Sequence, residues 1–355
     1  MDRRPGEAKM ILHVGPADKF MGAFVELLRA HFPRDLHEVR LLGRAWPTHP
    51  VRADPGVRFI GDSPSRRVLA LAPLWRDMHR AGRIILHGLF HEELFLPLLL
   101  SPEIARKCYW VMWGGDLHAD DQRGFALWRF AQLRRLVVPK MAGLVTYLPQ
   151  DVTHAQQAFG ARVPWKECLC YPSNLVPDVD TGLIEGGNAV LVGNSADPTN
   201  CHAEIFRRIA EQGLGERDVI CPLSYGGQQS AVEVVALGRS LFGARFRPLL
   251  EMLPLPEYRR VLASVGIAIF GHQRQQGMGN IISLLAMGKT VMLRPEIGSF
   301  QFLTGLGVSL RSMSEFSLQS LSSEVTTGNR KIVLGYFTRD RLIRQWRAIF
   351  EEALA

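Results

Sequence analysis

Short apolar runs recur along the chain, separated by longer stretches in which apolar residues return at helical spacing. In the first half the runs fall at residues 10–14, 39–42, 84–87, 109–112 and 144–147. Strand-length runs separated by helix-length segments imply a parallel sheet with both faces covered. A second series follows at residues 189–192, 218–221, 266–270 and 290–293. Between the two, residues 171–187 hold Pro172, Pro177, Gly182, Gly186 and Gly187 with little periodicity, which marks an interdomain linker. The pattern predicts two α/β domains, over residues 1–172 and 188–335, with a linker at 173–187 and a helical segment at 336–355. In that last segment Leu342, Trp346, Ile349 and Phe350 share one face, and Arg341, Arg344 and Arg347 lie elsewhere. Such a helix is suited to packing back across the domain interface.

Composition supports this layout. With 355 residues, 47% of them apolar and 21% charged, the chain is long enough to bury a full core in each domain. Residues 1–9 mix both charge signs without an apolar segment, unlike a signal peptide, and no apolar run reaches spanning length, so a cytoplasmic protein is expected. The longest apolar stretch, residues 94–100 with Pro97 inside it, fits a buried helix, with a membrane-dipping element as the alternative. Only Cys168 and Cys170 of the five cysteines lie close together, and they lack zinc-site spacing, so reduced core thiols are expected. A formal charge of +8 favours an anionic partner: nucleic acid, an anionic membrane face or a phosphate-bearing substrate.

Local chemistry favours phosphate. After the run ending at Phe270 come Arg274, Gln275, Gln276, Gly277, Met278, Gly279 and Asn280, then an apolar helical stretch closed by Gly288 as its C-cap. A helix start offers unpaired backbone N–H groups, and glycines let a phosphate approach them closely. Arg274 adds a charge-assisted fork. An ordinary strand-to-helix turn is the alternative, and the spacing matches neither the dinucleotide fingerprint nor the P-loop. A second turn of this kind, Gly193-Asn194-Ser195, leaves the run at 189–192. There Thr199 or Asn200 is the natural N-cap of the helix that begins near His202. Two such loops at strand ends would face one crevice.

These segments, with Pro222-Leu223-Ser224-Tyr225, resemble the bacterial transferases of glycosyltransferase family 56. The likeness continues through His13-Val14 with Asp18, Leu86-His87-Gly88, and residues 110–117 with their Trp113-Gly114-Gly115-Asp116 core. The chain departs from the family pattern at Gly266, at Gly271-His272-Gln273 and at Cys201, positions that bear on sugar specificity.

The resemblance implies a GT-B fold, two Rossmann-like domains facing across a cleft, with the donor nucleotide on the C-terminal domain and the acceptor on the N-terminal one. The type member moves 4-acetamido-4,6-dideoxygalactose (Fuc4NAc) from dTDP to an undecaprenyl-diphosphate disaccharide in enterobacterial common antigen synthesis. The implied partners here are a dTDP-sugar donor, a lipid-linked glycan acceptor and an anionic membrane surface, at the cytoplasmic face of the bacterial inner membrane. No cofactor is expected beyond the sugar nucleotide. No metal is expected either, since Asp178 and Asp180 spell Asp-x-Asp inside the linker rather than at a strand end.

Gly193, Asn194, Ser195, Asn200, Tyr225, Arg274, Gln275, Gln276, Gly277, Gly279 and Asn280 are the candidate donor-binding residues. Inversion at the anomeric centre needs a base in the N-terminal domain. Asp116 is the first candidate, with a helix cap or arginine partner as its alternative role, and Asp18 and His87 follow. The segment 123–140 interleaves Arg123, Arg129, Arg134, Arg135 and Lys140 with Phe125, Trp128, Phe130, Leu133 and Leu136. It reads as an interfacial helix meeting lipid headgroups or as an amphipathic helix on the core. The rival functions are a nucleic-acid-binding protein, for which no motif is present, and a sugar-nucleotide epimerase of the same fold.

Overall fold

The computed structural model describes residues 10–44, 50–52, 54–61, 69–117, 125–176 and 187–354. Residues 1–9, Arg123, the side chain of Phe125, Pro177, Asp178, Asp180, Gly182 and Gly186 lie outside what is described. The chain forms two compact units, one of Met1–Ser173 with Arg339–Ala355 and one of Asn174–Thr338.

The first unit is built on seven strands: β1 (Ile11–Pro16), β2 (His37–Leu42), β3 (Val57–Ile60), β4 (Arg83–His87), β5 (Cys108–Val111), β6 (Gly143–Thr146) and β7 (Trp165–Glu167). Their order is β3-β2-β1-β4-β5-β6-β7, with every pairing parallel. The second unit holds β8 (Ala189–Val192), β9 (Val219–Pro222), β10 (Phe246–Leu249), β11 (Val265–Phe270), β12 (Thr290–Leu293) and β13 (Arg311–Ser312). These run β10-β9-β8-β11-β12-β13, again all parallel. Strand order reverses beside β1 and beside β8, which places a topological switch point in each unit.

The central strands are those with continuous apolar runs, because helices cover both faces of a parallel sheet. The four strands that the apolar pattern does not mark, β3, β7, β10 and β13, are the four sheet edges. Most of their residues are half-buried or exposed, since an edge strand pairs on one side and covers little core.

The C-terminal helix Arg339–Leu354 belongs to the first unit. Its apolar face is buried, with Leu342 and Trp346 fully enclosed. The Trp346 indole donates to Cys170 O at 2.9 Å and packs 5.3 Å from the Phe24 ring. Gln345 accepts from the Leu169 backbone at 2.9 Å.

The structure decides between the two readings of residues 94–100 and of residues 123–140, in favour of helices packed on the core, and overturns one cap. Residues 94–100 form a helix, Phe95–Leu100, buried on one side only, with Phe95 and Leu98 inside and Leu96 and Leu100 exposed. In helix Phe125–Val137 the basic face is largely used internally. Arg134 is buried and donates to Leu89 O, Arg135 donates to Ala158 O, and Arg129 pairs with Glu92. Neither Thr199 nor Asn200 caps helix His202–Gln212. Asp197 caps the 3-10 turn Pro198–Asn200 instead, and Cys201, in the left-handed region, precedes the helix without a side-chain cap. The expectation at Gly288 holds: the residue is left-handed, and the Gly288 and Lys289 N–H groups return to Leu285 O and Leu284 O, which is the Schellman pattern. All five cysteines are free thiols.

Candidate active site

In the second unit the candidate residues converge at the C-terminal ends of β8, β9 and β11. The chain leaves β8 through Gly193 at φ +70°, where a Cβ would stand 2.7 Å from His202 Nε2 and 3.0 Å from Asn200 Oδ1. Only glycine fits that turn, in conformation and in space. The turn is then cross-braced. Asn194 N donates to Asn200 Oδ1 at 3.1 Å, Asn200 Nδ2 donates to Ser195 Oγ at 3.1 Å, and Asn194 Nδ2 donates to the Tyr225 hydroxyl at 2.8 Å. Tyr225 comes from the loop after β9, whose backbone also bonds Ala196 N at 2.7 Å.

The loop after β11 closes onto the same braces. Arg274 Nη2 pairs with Asp197 Oδ2 at 3.1 Å, and Gln276 Nε2 donates to Thr199 Oγ1 at 2.9 Å. Burial alone would raise the Asp197 pKa, but hydrogen bonds from Thr199 and the charge of Arg274 outweigh it and hold the carboxyl below its ordinary value. Asp197 is therefore a carboxylate that orients the Arg274 guanidinium. Gln275 is half-buried in this loop. Gly277 follows at φ +69°, where a Cβ would meet Asn194 Cγ at 3.2 Å. It opens helix Met278–Ala286 with no side-chain cap, leaving Gly279 and Asn280 in a first turn whose N–H groups have no intrahelical partner.

Several residues outside the predicted donor-binding set join the cluster. Arg294, after β12, donates to Gly271 O at 2.6 Å and pairs with Glu204. His272 is fully buried, and neither ring nitrogen has a partner among the described residues. Burial, then the nearby Arg274 and Arg294, push its pKa down to about 3, so the ring is neutral. The Tyr258 phenol is hydrogen-bonded to Asn280, and burial raises its pKa.

In the first unit Asp18 is half-buried at the N-cap of helix Lys19–His31 and makes no side-chain cap bond. Asp116 is fully buried. Its Oδ2 accepts from Leu89 N at 2.9 Å and Trp110 Nε1 at 2.7 Å, and its Oδ1 accepts from Trp113 N at 2.9 Å and Leu117 N at 3.0 Å. Four donors on two oxygens leave no open lone pair for a substrate hydroxyl, so the geometry gives Asp116 the task of ordering the loops after β4 and β5, not that of a base.

His87 is corrected in the same way. It is fully buried, with Nδ1 2.6 Å from the Tyr171 hydroxyl and Nε2 3.1 Å from His13 Nδ1. His13 Nε2 lies 3.1 Å from His37 Nδ1, and Trp113 Nε1 donates to Tyr171 at 2.7 Å. Burial pushes His87 down to about 3 and His37 down to about 4, and drives His13 well below its ordinary value, so all three rings are neutral at pH 7.

Two parallel α/β units of this construction define the GT-B class of glycosyltransferases. HepE of Anabaena, whose structure was solved with UDP-glucose, superposes with a TM-score of 0.69 at 13% identity over 97% of this chain and 100% of HepE. Sucrose-phosphate synthase of Thermosynechococcus elongatus gives 0.68 at 10% identity over 97% and 99%. A glycosyltransferase of Rickettsia africae gives 0.63 at 10% identity over 98% and 99%. The family described as 4-alpha-L-fucosyltransferase, glycosyl transferase group 56, matches residues 60–308. That is more than half of the chain, and the protein belongs to this family. It is a glycosyltransferase.

Proposed function

We propose that the second unit holds a dTDP-linked deoxy-amino sugar of the Fuc4NAc type. The protein would transfer that sugar to a polyprenyl-diphosphate-linked glycan in bacterial surface polysaccharide synthesis. The observation that carries this reading is the convergence of the two glycine turns, Gly193 and Gly277, with Arg274 at the uncapped start of helix Met278–Ala286. Backbone N–H groups and a guanidinium already oriented by Asp197 are preorganised for the charge that builds on a departing diphosphate, usually the largest catalytic contribution. The same groups neutralise the diphosphate without a bound metal. On the acceptor side we assign the hydroxyl proton to Asp18, half-buried at the start of the helix after β1, with Asp116 and His87 ordering the loops and core of the unit.

A nucleotide panel of dTDP, UDP and GDP tested by thermal shift decides the donor, because a ligand that binds only the folded chain raises its melting temperature. dTDP is expected to shift it most, and a chain that responds to none of the three overturns the reading. Release of free dTDP only when acceptor is present distinguishes transfer from epimerisation.

Among the described residues no helix is long and apolar enough to cross a membrane. Exposed Leu96, Leu100, Trp128 and Leu136 on two helices of the first unit support peripheral contact with the bilayer that carries the acceptor. Flotation with liposomes that loses no binding when Trp128 is changed to Ser counts against that contact.

A further inference from the structure

The first unit carries a hydrogen-bonded chain whose polarity follows from its first member. An indole N–H only donates, so Tyr171 Oη, 2.7 Å from Trp113 Nε1, must accept there. Among the described residues its own hydrogen finds an acceptor when it points at His87 Nδ1, 2.6 Å away, an arrangement that satisfies the buried hydroxyl and makes Nδ1 the unprotonated nitrogen of that ring. His87 Nε2–H is left to donate to His13 Nδ1, and His13 Nε2–H donates to His37 Nδ1, both at 3.1 Å. Every tautomer is assigned from Trp113 downward. The rings of Phe24, Trp346 and Phe350 pack around the three imidazoles and shut out water that could break the sequence.

The chain has two consequences at its Trp113 end, in the loop after β5. The indole is held in one orientation, and its only polar atom is consumed, so whatever part of the ring remains uncovered is hydrocarbon. Trp113 is half-buried and packs edge-on against Phe20, after β1, at 5.0 Å and against Phe90, after β4, at 5.4 Å. Phe90 is 37% exposed and lies over the Gly88 backbone, where a Cβ would come within 2.4 Å of the ring. Lys19 and Asp18 stand beside Phe20, with Lys19 Nζ 5.2 Å from the ring centroid. An aromatic patch at the strand ends with a charged pair next to it suits a ligand that has an apolar C–H face and a rim of hydroxyls, which is the chemistry of a pyranose.

We infer that Phe90 and Trp113 form the stacking platform for the acceptor's sugar ring, and that Tyr171 with His87, His13 and His37 are positioning residues that lock the Trp113 indole for it. This rests on the reading above, in which the second unit takes the donor.

The test uses the full chain with 15N-labelled tryptophan, the Trp113 Nε1–H resonance being assigned by Trp113→Phe, and chitobiose and dTDP titrated separately. Chitobiose is expected to move the Trp113 resonance, and Phe90→Ala to weaken that binding roughly tenfold, a loss of the size one aromatic contact supplies. Tyr171→Phe removes the acceptor of the indole N–H. It should shift the resonance in the free protein and weaken chitobiose while leaving dTDP affinity unchanged, which a general loss of structure would not do. A Trp113 resonance indifferent to chitobiose, or Phe90→Ala binding it as the parent does, overturns the assignment. Failure of dTDP alone would remove the donor reading and leave the chitobiose result to decide the platform.

Discussion

Lowering the pH from 7 to 5 is expected to destabilise the first unit through its buried imidazoles. His37 and His87 titrate near 6.5 when exposed but are pushed down to about 4 and about 3 in the fold, by burial first in each case. The unfolded chain therefore binds these protons first. Stability is complete above 6.5 and falls as the pH drops below it toward the folded values. At pH 5 each ring is about 1.5 units below its unfolded pKa, which at about 1.36 kcal/mol per unit removes about 2 kcal/mol, or about 4 kcal/mol for the two. His13 shifts in the same direction and adds to the loss.

Asp151 opposes it. Burial, then the charge of Asp116, push its carboxyl up to about 7, so the folded state keeps a proton that the unfolded state gives up near 3.8. That penalty is present above the folded value and relaxes as the pH falls, by about 2 kcal/mol between pH 7 and 5. Asp151→Asn removes it. The variant should be more stable than the parent at pH 7, by up to about 4 kcal/mol, and should lose stability more steeply on acidification. All seven tryptophans lie in the first unit, so urea unfolding followed by tryptophan fluorescence reads that unit alone. Midpoints at pH 7, 6 and 5 for both chains make the comparison. Equal stability of the parent at pH 7 and 5, together with a parallel Asp151→Asn curve, would refute the burial of neutral imidazoles.

Arg274→Ala should lower kcat roughly a hundredfold with little change in melting temperature, because its best interaction is with the departing diphosphate; near-normal turnover would dismiss that role. Gly193→Ala places a Cβ 2.7 Å from His202 Nε2 at φ +70°, adding about 1–2 kcal/mol of backbone strain to the clash, and should cost both stability and dTDP affinity in a thermal-shift titration. Asp116→Asn turns an NH2 toward two of four converging N–H donors and should cost about 2–3 kcal/mol in tryptophan-monitored unfolding without altering dTDP binding. Trp346→Ala empties a fully buried site against Phe24 and should cost about 3–5 kcal/mol in the same assay.

Much of this protein was written in its local pattern. The central strands of both sheets follow from apolar runs, since a strand covered on both faces must be apolar throughout. The two glycine turns and Arg274 were visible because phosphate binding by a helix start uses residues adjacent in sequence. The apolar stripe of Leu342, Trp346, Ile349 and Phe350 declared a packing face but not what it would pack on. The edge strands β3, β7, β10 and β13 were not legible, because backbone pairing on one side and a few core contacts such as those of Ile60 and Phe246 hold them, which leaves no continuous apolar run.

What the tertiary structure decided was which polar groups meet. Asp116 reads as a base from its place after a strand and two glycines, yet the four N–H groups that occupy it include the Trp110 indole of β5 itself and Leu89 N, brought in by the neighbouring strand β4. His13, His37, His87 and Tyr171 are scattered over some 160 positions and become one hydrogen-bonded chain only because β1, β2 and β4 lie side by side and the segment after β7 folds over them. Asp197 and Arg274 lie on the loops after β8 and β11, which the crossover makes neighbours. Sequence by itself determined the elements and the glycine turns, because these depend on residues a few positions apart. The partners of buried polar groups depend on strand order, which no local pattern carries.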